Sequence, residues 1–215
     1  MTTPLGWLFP PHTPLPSELW REELGSAGWH ALLRDGVSRH VWGDLAVPAD
    51  RPSTATERAE ALRPQVPTRA VVGRMTAAWV HTGGAPPTVI DLLVPSGRRR
   101  LAPDPDRRTH ESELPARELV HLGGIRLTSV PRTGIDLARW ELGRGSPAIE
   151  ALDALVSLGF DPRVALRSLD QLAGQRGLRA ARSHLLGMLT RSGDGADRGQ
   201  ARIAGSSAAR DPVIR

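Results

Sequence analysis

The chain of 215 residues contains no Cys, no Lys, no Asn and no Tyr. Without Cys there is no disulfide, no thiolate metal ligand and no Cys nucleophile. Without Lys a phosphate loop of the GxxxxGK[ST] form is excluded, and a metal-dependent nuclease of the restriction-enzyme type lacks its usual cation. No apolar run approaches the roughly 18 residues that a bilayer span needs. Residues 1–16 hold no basic residue to open a secretory signal. The expectation is a cytoplasmic protein with no membrane partner.

What is present is 40% apolar and 24% charged residues, with 22 Gly and 19 Pro, the balance of a globular body joined by many turns. All 28 basic residues are Arg and the net charge is +5. Planar guanidinium forks suit phosphates and guanine edges, although a GC-rich codon bias would produce the same replacement of Lys. So modest an excess supports a nucleic-acid partner only weakly.

Punctuation along the chain predicts an α+β protein. Residues 1–15 are Pro-rich and expected to be irregular. Residues 16–50 read as a winged-helix-like domain: one helix capped by Ser17 and carrying Leu19, Trp20 and Leu24, and a second capped by Ser26 and carrying Trp29, Leu32 and Leu33. A hairpin follows, turning at Gly43-Asp44, with Val37, Arg39 and Val41 on one face and Ser38, His40 and Trp42 on the other. Residues 51–65 form a connecting helix, since Thr54 and Glu57 have capping-box spacing. Residues 66–190 read as a mixed domain with strands at 70–72, 89–94, 107–112 and 125–127, helices opening at Arg74 and Pro131, and a C-terminal helical bundle. Residues 191–215 are expected to be disordered.

In a winged helix the second helix enters a major groove and the hairpin touches phosphate. That assigns His30 and Arg34, four apart on one helical face, together with Ser38, Arg39, His40 and Trp42, to a DNA-binding surface. The alternative is that Trp29 and Trp42 are core aromatics and the arginines a solvated face. Arg98-Arg99-Arg100, following a strand and the turn Pro95-Ser96-Gly97, forms a secondary basic patch for phosphate or an acidic protein. Arg132, Asp136 and Arg139 share a helical face, where an i,i+4 ion pair is expected.

Enzyme chemistry has less to stand on. Asp91 and Glu111 are the available acids for a nuclease. None of the seven His makes an i,i+4 or HxH pair fit for zinc, and no GxSxG elbow occurs. No catalytic residue, metal or cofactor is expected.

From Arg69 to Leu189 the chain resembles the actinobacterial AbiEi-like antitoxin and transcriptional-regulator family. The resemblance rests on Ala70-Val71-Val72-Gly73-Arg74-Met75-Thr76-Ala77-Ala78-Trp79-Val80-His81, on Val94-Pro95-Ser96-Gly97-Arg98-Arg99-Arg100, and above all on Gly124-Ile125-Arg126-Leu127-Thr128-Ser129-Val130-Pro131-Arg132-Thr133-Gly134-Ile135-Asp136-Leu137-Ala138. Ala151-Leu152-Asp153-Ala154-Leu155 and Gly174-Gln175-Arg176-Gly177-Leu178-Arg179-Ala180-Ala181-Arg182 extend it. Ala31 to Pro48 resembles the recognition-helix end and wing of the family's N-terminal domain. The resemblance implies an operator-binding head, repression of the protein's own operon, and a following domain that neutralises a nucleotidyltransferase toxin. Relatives often append an endonuclease-like domain that this sequence does not reach, so catalysis by that route is not expected. The competing expectations are a protein-interaction module with a degenerate DNA-binding head and, further off, the nuclease.

Overall fold

The computed structural model describes residues 15–97, 101–170 and 176–191. Most of the irregular N-terminal segment, the Arg98-Arg99-Arg100 patch and nearly all of the C-terminal tail lie outside the described residues. The protein is mixed α+β, with two sheets among the described residues, and the chain divides into two compact units: Met1–Gln65 with Leu122–Gly124, and Val66–His121 with Ile125–Arg215.

The first unit opens with β1 (Leu19–Trp20), α1 (Arg21–Arg34), β2 (Ser38–Trp42), β3 (Leu45–Pro48) and α2 (Ala55–Leu62). Leu19 and Trp20 were expected in a helix and are instead a strand, antiparallel to β3 in the register Leu19↔Ala46 and Trp20↔Leu45. Burial explains the difference, since Leu19 is covered in one small core with Trp29 and Ala46. Helix begins only at Arg21, where Glu22 and Glu23 favour the positive end of the helix dipole. Gly25, at φ 67°, breaks α1 into two segments, which matches the two short helices read from the sequence. The sheet order is β1-β3-β2.

The hairpin turns at Gly43-Asp44 as expected, but strict alternation fails along β2. Ser38 and Val41 are buried while Arg39 and His40 are both exposed, and a register irregularity lies between His40 and Trp42. On α2 the capping box is closed on both sides: Glu57 N donates to Thr54 Oγ1 at 3.2 Å, and Thr54 N donates to Glu57 Oε2 at 2.7 Å.

The second unit is built on a five-stranded sheet. Its elements are β4 (Val71–Val72), α3 (Arg74–Thr82), β5 (Ile90–Pro95), β6 (Arg107–Ser112), β7 (Leu119–Leu122), β8 (Ile125–Thr128), α4 (Val130–Trp140), α5 (Ser146–Ser157), α6 (Pro162–Asp170) and a last helix, α7, over residues 178–191. The strand order is β6-β5-β4-β8-β7, with β6 parallel to β5 and β4 parallel to β8. Ile90, Leu92, Leu93 and Val94 are all buried, so β5 reads as a nearly continuous apolar run. The short strand β7 went unread in the sequence.

Helices α4 to α7 share one apolar cluster, in which Leu137, Leu152, Leu155, Phe160, Leu169 and Leu185 are buried together. Close approach is enforced at Gly134, where an added Cβ would lie 2.4 Å from the Phe160 ring. Thr128 and Thr133 exchange a hydroxyl hydrogen bond of 2.7 Å at the start of α4, so both buried hydroxyls are satisfied.

Candidate functional site

The residues expected to face DNA divide by burial. On the second segment of α1, Trp29 is buried and Leu32 and Leu33 pack beside it, which turns His30 and Arg34 outward. His30 Nδ1 donates to the Ser26 carbonyl at 2.7 Å, and Arg34 Nε donates to Asp35 Oδ1 at 3.0 Å, a pair exposed on both sides. Arg39 and His40 are also exposed. Arg39 donates to the Arg51 carbonyl, and His40 Nε2 lies 2.7 Å from the Gly43 carbonyl. The His40 ring meets Trp29 edge-on, with centroids 6.0 Å apart, so hairpin and helix are in contact.

Two members of the set are less exposed. Ser38 is 6% exposed, which withdraws it from any approaching phosphate. Trp42 is half-buried. The electrostatics of this segment are also adverse: between residues 16 and 65, Arg21, Arg34, Arg39, Arg51, Arg58 and Arg63 are outnumbered by acidic residues. Arg51 is held by Glu57 at 2.5 Å, which raises its pKa and lowers that of Glu57 through the same hydrogen bond. Arg58 is buried, and desolvation lowers its pKa.

Glu18, just before β1, and Glu60, on α2, form a carboxyl pair. Burial, then the hydrogen bond and charge of Glu18, push the Glu60 carboxyl up to about 7 against the pull of Arg63. Its Oε2 is buried with no hydrogen-bond partner among the described residues, and Glu18 itself accepts from Trp20 Nε1 at 3.3 Å.

In the second unit, the two acids considered for nuclease chemistry do not converge. Parallel pairing of β5 with β6 sets Leu93 beside His110 and Val94 beside Glu111. Side chains of paired residues share a face, so Asp91 and His110 lie on one face and Glu111 on the other. His110 Nε2 is accordingly 3.0 Å from Asp91 Oδ1. A two-carboxylate metal site on Asp91 and Glu111 is therefore not formed.

The richest charged constellation was only partly legible. Arg132 reaches Asp136 Oδ2 at 3.0 Å, Ser112 Oγ at 2.7 Å, the Glu113 carbonyl at 3.1 Å and the Glu118 carboxylate. The expected i,i+4 ion pair is thus one arm of a staple joining α4 to the end of β6 and the turn after it. Burial pushes the Asp136 carboxyl up, with Arg132 pulling back. Nearby, Arg74 pairs with Glu141 at 3.3 Å, and its guanidinium lies 5.4 Å from the centre of the Trp140 ring. Arg74 has φ 51°, a conformation that is strained for a non-glycine residue and that collects at functional positions. Sequence gave no sign of this cluster beyond the spacing of Arg132, Asp136 and Arg139. No protein-family model matches the chain, and no curated protein matches it.

Proposed function

We propose that the protein is a DNA-binding transcriptional regulator of the AbiEi antitoxin type, with double-stranded operator DNA as partner and a nucleotidyltransferase toxin as its second partner. The observation that carries this reading is the order strand, helix, helix, hairpin in the first unit, with β1 paired to β3, an order compatible with a winged helix. It leaves His30 and Arg34 exposed on the second helical segment and Arg39 and His40 exposed on the adjoining hairpin. Ser38, buried, and Trp42, half-buried, support the hairpin in this reading.

The acidic balance of residues 16–65 means that the head contributes position and register, while most of the attraction for phosphate comes from the Arg-rich remainder of the chain. A mobility-shift assay with the DNA upstream of its own gene tests the reading. Sequence-selective binding whose preference for the operator over unrelated duplexes disappears in Arg34→Ala with Arg39→Ala, with residual non-selective binding retained, is the expected result. Equal affinity for unrelated duplexes, unchanged by those substitutions, rejects it.

A second reading is favoured by one observation, that Arg34 is already neutralised by Asp35 in a head of net negative charge. In that case the protein acts through protein contacts alone. Co-purification of the full chain with its neighbouring gene product, without any DNA shift, would select it.

A further inference from the structure

Arg139 lies on the last turns of α4, where Nε at 3.2 Å and Nη2 at 2.7 Å both donate to the Arg176 carbonyl. Its guanidinium rests 5.0 Å from the centre of the Trp140 ring. Among the described residues no carboxylate comes within 4.0 Å of it, because Asp136, whose charge it feels, is engaged by Arg132. Burial lowers the Arg139 pKa, so this cation is held partly out of water with its Nη1 unused by the described residues. A desolvated charge without its own counter-ion is costly, and such groups mark binding sites.

Two cavities, of about 380 and 390 Å³, both have Arg139 in their walls. The first is also lined by Arg74, Arg176, His110 and Ser96. Its volume suits a ligand of mononucleotide size. Three acidic residues border it too: Asp136, committed to Arg132, and the exposed Glu111 and Glu113. Those carboxylates would repel an extended polyanion and leave room for one compact anionic group.

We infer that this cavity binds the phosphate of a small phosphomonoester, with Arg139 Nη1 as the principal donor and Arg176 and Arg74 beside it. A charge-assisted bond from a half-buried guanidinium has the strength to hold such a group. A monophosphate is then bound at least as tightly as the corresponding triphosphate.

Calorimetry and thermal melting of the full chain at constant ionic strength test the inference, using inorganic phosphate, AMP, ATP and citrate up to about 10 mM, the range of a weak but specific site. Phosphate and AMP should raise the melting temperature. Citrate doing so equally would replace phosphate recognition by general carboxylate binding and overturn the stated specificity. Arg139→Met should weaken AMP by roughly tenfold or more, while Arg34→Ala, in the other unit, leaves it unchanged. Should the methionine variant not fold, Arg139→Lys, which keeps the charge but loses the fork, and Arg176→Ala, at an exposed side chain, should each weaken AMP severalfold. Unaltered affinity in both, or no melting shift with any of the four probes, overturns the proposal.

Discussion

Arg132 Nε stands 3.0 Å from Asp136 Oδ2, one helical turn further along α4, and both side chains are at least nine-tenths covered. The order, basic before acidic, is the less favourable one for the helix dipole. The pair is nevertheless retained, because Arg132 uses its other donors on Glu118, Ser112 and the Glu113 carbonyl. Removing Asp136 would leave a buried guanidinium short of its counter-charge. Asp136→Ala should therefore lower stability by about 3 kcal/mol, read as a shift of the urea midpoint at unchanged slope. A loss below about 1 kcal/mol would mean that Glu118 alone neutralises Arg132.

Gly134 and Phe160 form a second coupled pair. A methyl group at Gly134 would lie 2.4 Å from Phe160 Cε2 and 2.5 Å from Cδ2, and Phe160 is buried. Gly134→Ala should cost roughly 1–3 kcal/mol through overpacking. Phe160→Leu should also destabilise, but the double variant should be more stable than the two single losses predict. A double-mutant cycle by urea denaturation measures that coupling, and strict additivity would mean that α4 and the Phe160 segment separate at no cost.

What the sequence made legible was local. Thr54 with Glu57 and the Gly43-Asp44 turn are decided within a few residues, and the extended stretch around Arg107 to Ser112 follows a charged loop that begins at Asp104. Leu19-Trp20 was misread because two residues carry no period, and their pairing is settled by β3, which lies beyond α1. Ser38 was read as a phosphate donor, but its burial is decided by packing that strand alternation does not contain. The spacing of Arg132 and Asp136 revealed their ion pair, but the setting of Arg139 depends on Arg74 and Arg176 arriving from elements far apart in the chain. No single-sequence pattern contains that information.

The Glu60 carboxyl gives the first unit a pH dependence of defined sign. Its folded pKa, about 7, is raised above the ordinary 4.5, so the folded state holds the proton more tightly than the unfolded chain. This contribution is fully present below about 4.5, fades as pH rises, and is gone above about 7. Glu57 acts oppositely: its pKa is lowered, so its contribution is present above the ordinary carboxyl range and lost only in acid. Urea midpoints across this window should fall with rising pH in the native chain and fall less in Glu60→Gln. Identical profiles would show that Glu60 ionises as an ordinary surface carboxyl.

The salt dependence of DNA binding separates a reading head from a merely attractive body. Each phosphate neutralised releases condensed counter-ions, and log affinity falls by roughly 0.9 per decade of salt for every contact. Arg34 must surrender Asp35 to take a phosphate, and Arg39 must surrender the Arg51 carbonyl, so each gains only the difference between two partners. Arg34→Ala with Arg39→Ala should accordingly reduce the slope by about two contacts, close to 1.8 in log-log units, while changing affinity at low salt by less than the loss of two free arginines would. Fluorescence anisotropy of a labelled operator duplex across a salt series reads both quantities at once. A slope unchanged by the double substitution, with affinity intact, would locate every phosphate contact outside the head and remove the basis for sequence reading by α1.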